Sequence, residues 1–417
     1  MPAPKRIFKK TLSVLKTLGP GLVTGSSDDD PSGIATYSQA GAQFGFSMLW
    51  TALITFPLMA SMQEMCARIG LVTGGGLAST LKNHYPKWIL WLMIIFSFPA
   101  IVLNIGADIA GMGAAAHLIC PAVPSFIFTI VFTALIIVAI IYYPYQKLAA
   151  ALKWACITLL VYLAVPFFTD TKWLSVLRHT FIPNVEFNRD FVGMMVAILG
   201  TTISPYLFFW QATMEAEGIK QSKAALIVDK RVLKDMRKDV DIGMLFSNIV
   251  MFFIILTCGN VLYPNGVHQI ETVEQAAVAL KPIAGNLAYT LFAIGIIGTG
   301  FLAIPVLSGS LSYMFAETFD WDEGLDKKFS QAKPFYAVIV IALVIGLLIN
   351  FTNITPLQGL IYSAMLYGIT SPVIILIVLH ISNNRRIMGD NVNSLRSNIM
   401  GAITFLLMLG AALALFI

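Results

Sequence analysis

Long apolar runs alternate with short polar segments along the whole chain. Eleven runs reach the roughly 20 residues that a helix needs to cross a hydrocarbon core. They cover 19–40, 46–71, 88–117, 123–143, 147–168, 190–217, 242–263, 285–312, 333–350, 355–383 and 396–417. The two-residue alternation of a barrel strand is absent and the runs are too long for strands, so the pattern predicts eleven transmembrane helices. Two of the runs are interrupted. The first, GPGLVTGSSDDDPSGIATYSQAGA, holds Asp28, Asp29 and Asp30 with two serines, a proline and a glycine at its centre. A mid-bilayer aspartate costs about 2.5–3.5 kcal/mol on insertion scales, so three in a row mark a site or a water-filled cavity. The sixth run, VAILGTTISPYLFFWQAT, places Thr201, Thr202, Ser204 and Pro205 at the matching depth.

The interrupted runs lie five helices apart, an odd number, so the second block of five must cross the membrane inverted relative to the first. Inverted repeats with discontinuous helices at corresponding positions point to a secondary transporter whose site lies between the breaks. The expected organisation is a cytoplasmic segment 1–18, a first repeat 19–168, a second repeat 190–383 and an added helix 396–417.

Composition excludes a soluble globule. The chain is 57% hydrophobic and 12% charged, with mean hydropathy +0.79, whereas a soluble surface needs roughly a quarter of its residues charged. The net charge of +5 does not mark a nucleic-acid partner, because the basic residues follow membrane sidedness. With the N-terminus inside, all of the 27 Lys and Arg except Lys172, Arg178, Arg189 and Lys281 fall on the inner side. This predicts a multi-pass plasma-membrane protein with a cytoplasmic N-terminus and Ile417 outside. The basic stretch Met1–Lys16 enters the first run without a small-residue cleavage motif, so no removable signal peptide is expected. The 218–241 segment interleaves both signs, as a solvated helical connector does. Glu64 and Arg68 have the i,i+4 spacing of a local ion pair. Trp50, Trp88, Trp91, Tyr142, Tyr143, Tyr145 and Trp173 sit where interfacial anchors belong. Cys66, Cys120, Cys156 and Cys258 are scattered singly and read as packing residues. The five histidines, His84, His117, His179, His268 and His380, form neither a metal cluster nor a nucleophile–base pair, so an enzyme is not expected.

At a break of this kind, unwound carbonyls and a carboxylate can coordinate a cation. Asp30 directly before Pro31 also suits a helix N-cap with proline at the first helical position, a role that leaves Asp28 and Asp29 unexplained.

The stretch GPGLVTGSSDDDPSGIATYSQAGAQFGFSMLW and the following QEMCARIGLVTGGGLA resemble the first two helices of the NRAMP family of divalent metal transporters. The resemblance covers the first third of the chain and span six well, and later segments more loosely. It implies an all-α LeuT-type 5+5 inverted repeat with one extra C-terminal helix, and import of manganese or iron, usually with a proton. The family's metal motif on the first helix, Asp-Pro-Gly-Asn, stands here as Asp30-Pro31-Ser32-Gly33. Its Ala-Thr-Val-Met-Pro-His on the sixth helix becomes Thr201-Thr202-Ile203-Ser204-Pro205-Tyr206. The asparagine ligand is thus replaced by Gly33, the methionine ligand by Ser204, and the histidine linked to proton movement by Tyr206.

Losing a soft thioether removes the preference for Mn²⁺ and Fe²⁺ over hard ions. Mg²⁺ dehydrates reluctantly and binds through one or two carboxylates with several waters retained. Asp30, with Asp28, the hydroxyls of Thr201 and Ser204, and room at Gly33, fits such a partly hydrated ion. The resemblance places a further amide ligand at Gln358, where an ordinary helix–helix hydrogen bond is an equal alternative. The family's third helix carries an aspartate and, three residues on, a glutamate; here these are Asp108 and Gly111. Asp108 then reads as a proton relay or as a structural hydrogen-bonding residue. The pattern is similar to the NRAMP-related magnesium transporters, with Mg²⁺ (also Mn²⁺) as substrate, weak or no proton coupling and no resident cofactor. The alternatives are a proton-coupled Mn²⁺/Fe²⁺ symporter and a sodium-coupled amino-acid or organic-solute carrier of the same fold.

Overall fold

The computed structural model describes residues 19–144, 159–186, 188–221, 230–352 and 354–415. The segment 1–18, most of the fifth run, Cys156, and Lys147, Lys153 and Lys223 lie outside the described residues. Among the described residues the fold is all helical, with no strand.

Span one is two helices, α1 (Pro20–Asp28) and α2 (Pro31–Phe44). Each begins on a proline, whose missing N–H is harmless in a first turn, and Asp30 between them is extended at φ −70°, ψ 172°. There follow α3 (Leu49–Thr73), α4 (Lys87–Ile119) and α5 (Ser125–Tyr142). Span six is likewise split, into α6 (Arg189–Thr202) and α7 (Pro205–Gln221), with Ile203 and Ser204 between them. The remaining long helices are α8 (Lys230–Val261), α9 (Ala288–Phe319), α10 (Lys333–Ile349), α11 (Pro356–Asn383) and α12 (Leu395–Ala414).

The count of eleven spans is not reproduced by length and apolarity alone. Among the described residues seven helical segments are long and apolar enough to cross a membrane, and α10 is a shorter apolar helix. The break at the aspartates leaves halves of 9 and 14 residues, and α3 dilutes its hydropathy with Gln63, Glu64 and Arg68. Burial separates the segments by position: 94% of the apolar stretch across α6 and α7 is buried, against 22% for α5 and 33% for α12. The broken sixth span is therefore the axis of the bundle and α5 and α12 are its rim. Residues 230–241, expected in a connector, are the first turns of α8, and α9 runs on to Phe319, seven residues past its expected end.

Close backbone contact positions the first break. Both halves of span one carry glycines four apart, Gly21/Gly25 and Gly41/Gly45, the small-residue spacing that lets membrane helices approach. A Cβ on Gly25 would lie 2.2 Å from the Gly243 carbonyl oxygen, and one on Gly41 2.4 Å from that of Ile255. Both contacts are with α8, so α1 and α2 lie backbone-to-backbone on one helix. Asp239 of α8 also caps α1, accepting from the N–H groups of Gly19 at 3.2 Å and Gly21 at 2.7 Å. These are first-turn donors that have no partner inside their own helix. In the second repeat, Gly200 of α6 packs on α11, where a Cβ would come within 2.0 Å of the Ala364 carbonyl oxygen.

The expected Glu64–Arg68 ion pair forms at 3.3 Å and is extended by Arg237 of α8, 3.0 Å from Glu64, and by the Asn391 carbonyl, 2.9 Å from Arg68. Trp88, Trp91, Tyr142, Tyr143 and Trp173 are exposed, as interfacial anchors are, whereas Trp50 is half-buried and Tyr145 lies outside the described residues. Cys66 and Cys258 are buried; Cys120, expected to pack inside, is instead exposed at the end of α4.

Candidate metal site

Asp30 is held at both oxygens. Its Oδ1 accepts the Gly33 N–H at 2.7 Å, capping α2, and its Oδ2 accepts the Asn104 side-chain N–H of α4 at 2.9 Å. The cap thus uses one oxygen of this side chain, and the link to α4 uses the other. Gly33 is the point where the two breaks meet. A Cβ there would stand 3.1 Å from the Asp28 carbonyl oxygen, 3.4 Å from the Tyr37 ring and 3.5 Å from Thr201 Oγ1. A larger side chain at this position would fill the space between α1 and α6.

The other expected donors sit differently. Ser204 Oγ lies 2.9 Å from the Gly200 carbonyl and 2.6 Å from that of Thr201, so its proton closes the end of α6 while its lone pairs remain. The Asp28 carboxylate turns to α8, where Ser247 Oγ lies 2.5 Å from Asp28 Oδ2 and 3.3 Å from Asp29 Oδ1. One hydroxyl proton cannot serve both, and Asp28 Oδ1 and Asp29 Oδ2 are buried without partners. Asp28 therefore offers its carbonyl, not its carboxylate, toward Gly33. Tyr206, in the place where the resemblance expects histidine, donates its hydroxyl to the Ser27 carbonyl at 2.9 Å and so ties α7 to the end of α1.

Gln358 is not brought to this group. It is exposed in the first turn of α11, and its carboxamide accepts the Thr355 N–H at 3.3 Å in a reciprocal capping box. Replacing Gln358 with alanine is expected to leave metal uptake within about twofold of the wild type and to lower stability by about 1 kcal/mol, read as uptake and thermal midpoint of the same preparation.

Three participants were not expected. Asn104 lies on α4 one turn before Asp108, and the i,i+4 polar pair in an apolar helix was the available signal. Ser363 of α11 donates to Asn104 Oδ1 at 2.9 Å, and Ser32 lies 3.1 Å from Ser363. Ser247 had no signal beyond being a polar residue in a buried helix. Asp108 is fully buried and, among the described residues, no side chain hydrogen-bonds to its carboxylate. Gly111, one turn further on, leaves α4 against Pro31, 3.7 Å from where its Cβ would be.

Asp30, Thr201 and Ser204 are 2%, 3% and 1% exposed, so the site is closed to both sides. Among the described residues no ion pair involves Asp28, Asp29, Asp30 or Asp108. Nor do three His, Cys, Asp or Glu side chains converge there as a metal-holding set. The donors around the break are one carboxylate, hydroxyls and main-chain carbonyls, all hard oxygens. Carboxylates buried without cationic partners are strongly destabilised unless a cation or protons neutralise them.

Comparison with known proteins agrees with this architecture. The family profile described as Natural resistance-associated macrophage protein-like (Nramp) matches residues 21–417. The divalent metal cation transporter MntH of Caldanaerobacter subterraneus subsp. tengcongensis is 25% identical over 396 residues, spanning 93% of this chain and 90% of the relative. The crystal structure of the Eremococcus coleocola manganese transporter, in complex with an aromatic bis-isothiourea compound, superposes with a TM-score of 0.78 at 17% identity, covering 99% of this chain and 88% of that one. Mhp1, a nucleobase-cation-symport-1 family transporter in a closed conformation, gives 0.55 at 11% identity over 96% and 93% of the two chains. The fold is the LeuT-type helical architecture that these membrane transporters share.

Proposed function

Because the chain belongs to the Nramp family of transporters, we propose that it carries divalent metal ions across the membrane, with partly hydrated Mg²⁺ as its principal substrate and Mn²⁺ accepted. The observation that carries this reading is the set of buried carboxylates at the first break, none of them ion-paired among the described residues, beside donors that are all oxygen. The relatives' own names specify divalent metal cations and manganese. A site with no thioether and with space at Gly33 favours a hard ion that keeps its waters.

In this reading Asp30 takes the ion between the breaks, with Thr201, Ser204 and the Asp28 carbonyl around it. The closed site requires the helices about the broken pair to rock so that it opens to one side at a time. The sidedness of Lys and Arg puts the N-terminus in the cytoplasm of a cell whose plasma membrane holds the protein. The inside-negative potential then contributes about 4.6 kcal/mol per divalent ion per 100 mV toward import. Coupling to protons is weak or absent, since Gly111 and Tyr206 offer no proton-accepting group at the positions of the family's glutamate and histidine.

A second reading, proton-coupled Mn²⁺ symport, is favoured by one observation, the buried Asp108 carboxylate to which, among the described residues, no side chain hydrogen-bonds. One experiment separates the two. In proteoliposomes, millimolar Mg²⁺ is expected to suppress Mn²⁺ uptake while internal pH stays constant during Mg²⁺ entry. Untouched Mn²⁺ uptake would remove Mg²⁺ as substrate, and stoichiometric acidification would establish the symport reading.

A further inference from the structure

Asn104 joins the Asp30 carboxylate to α11. It is fully buried on α4, gives its N–H to Asp30 Oδ2 at 2.9 Å and accepts the Ser363 hydroxyl of α11 at Oδ1, also at 2.9 Å. Charge fixes its orientation: turned the other way, the amide oxygen would face a carboxylate; the Ser363 hydroxyl is shared between Asn104 Oδ1 and the Leu360 carbonyl, 2.8 Å away. Ser32 Oγ donates to the Leu360 carbonyl at 2.8 Å and lies 3.1 Å from Ser363 Oγ. With the Gly33 N–H on Oδ1 at 2.7 Å, and the Ser32 main-chain N–H also directed at the carboxylate, both oxygens are engaged by donors.

We propose that Asn104 is a specificity-determining residue of the metal site, which holds the Asp30 carboxylate hydrogen-bonded at both oxygens and so selects for an ion that keeps its water shell. This inference rests on the metal-transport reading of Asp30. A carboxylate oxygen has about two lone-pair positions, so hydrogen bonding at both oxygens leaves few of them for direct contact with an ion. Charge-assisted N–H bonds also withdraw charge from both oxygens, which weakens the group as a direct ligand and leaves it well suited to accept hydrogen bonds from metal-bound water. Mg²⁺, which dehydrates reluctantly, loses least under this constraint. Ions that shed water more readily lose the direct, two-oxygen contact that a free carboxylate would give. Hydrogen-bond partners of this kind orient a ligand and tune its donor strength without touching the metal.

Asn104→Ala frees Oδ2. The expected result in proteoliposomes is that the ratio of apparent affinities, Mn²⁺ over Mg²⁺, rises roughly tenfold, with Mg²⁺ weakened and Mn²⁺ held or strengthened. Ser363→Ala leaves the amide in place but unsteadied and should move the ratio the same way by a smaller factor; it also serves if the Asn104 variant does not fold. A role in structure alone would depress uptake of both ions equally. An unchanged ratio in a folded variant, with wild-type uptake still suppressed by Mg²⁺, overturns the inference and leaves the metal-transport reading standing. Wild-type protein that ignores Mg²⁺ overturns the hydrated-ion reading and this inference with it.

Discussion

Asp30→Ala reduces metal uptake to background, a fall of roughly a hundredfold or more, while the protein still folds. The two parts of that expectation have separate physical grounds. As an N-cap, Asp30 supplies one hydrogen bond to Gly33 N, and losing a cap costs about 1 kcal/mol, which a bundle of this size tolerates. As the proposed ligand it would supply the charge at the point where both helix breaks meet, and changing even the partners of a metal ligand commonly costs 10–100-fold. Asp30→Asn separates the roles further, because its amide oxygen can still accept from Gly33 while the charge is gone. Both variants should elute as wild type does on size exclusion and fail in Mn²⁺ uptake. Transport near the wild-type rate by either one would remove Asp30 from the site.

Gly25→Ala is expected to have a large effect on stability, about 3 kcal/mol, seen as a lowered thermal midpoint in detergent and a loss of monodisperse protein. Its new Cβ would stand 2.2 Å from the Gly243 carbonyl oxygen and 2.4 Å from its carbonyl carbon. The obstacle is main chain rather than a side chain that can swing away, so α1 must lift from α8. Lifting α1 also strains the Asp239 cap at its start and the Tyr206–Ser27 bond at its end. Gly218→Ala is the matched control, since nothing lies within 4 Å of a Cβ there. Equal midpoints for the two variants would mean that the α1–α8 contact is looser than described.

What could be read from the chain follows from how local each signal is. The two breaks were legible because Asp30-Pro31 and Ser204-Pro205 interrupt apolar runs with residues whose backbone preferences are strong on their own. The inverted arrangement followed from the interval between them. Asn104, Ser247 and Ser363 were not legible as partners, since a lone polar residue on an apolar helix looks the same whichever neighbour it faces. The Asp28 carboxylate was expected at the ion but is turned to Ser247 of α8, a contact 219 residues away in the chain. Gln358 carried a local signal that outweighs its placement by resemblance: Thr355-Pro356-Leu357-Gln358 has the spacing of a capping box, and that is what it forms. The number of spans was least secure, because breaking a helix for function removes the length by which spans are counted.

The central claim is that the ion sits where the two breaks meet. A structure of the protein soaked with Mn²⁺, which gives an anomalous signal, and repeated with Mg²⁺ tests this most directly. The expected result is one peak between Asp30 and Thr201 beside Gly33, present with Mn²⁺ and displaced by Mg²⁺, with water among the ion's ligands. A peak at Asp28 and Asp29 against Ser247, or no peak between the breaks at saturating metal, would contradict the account.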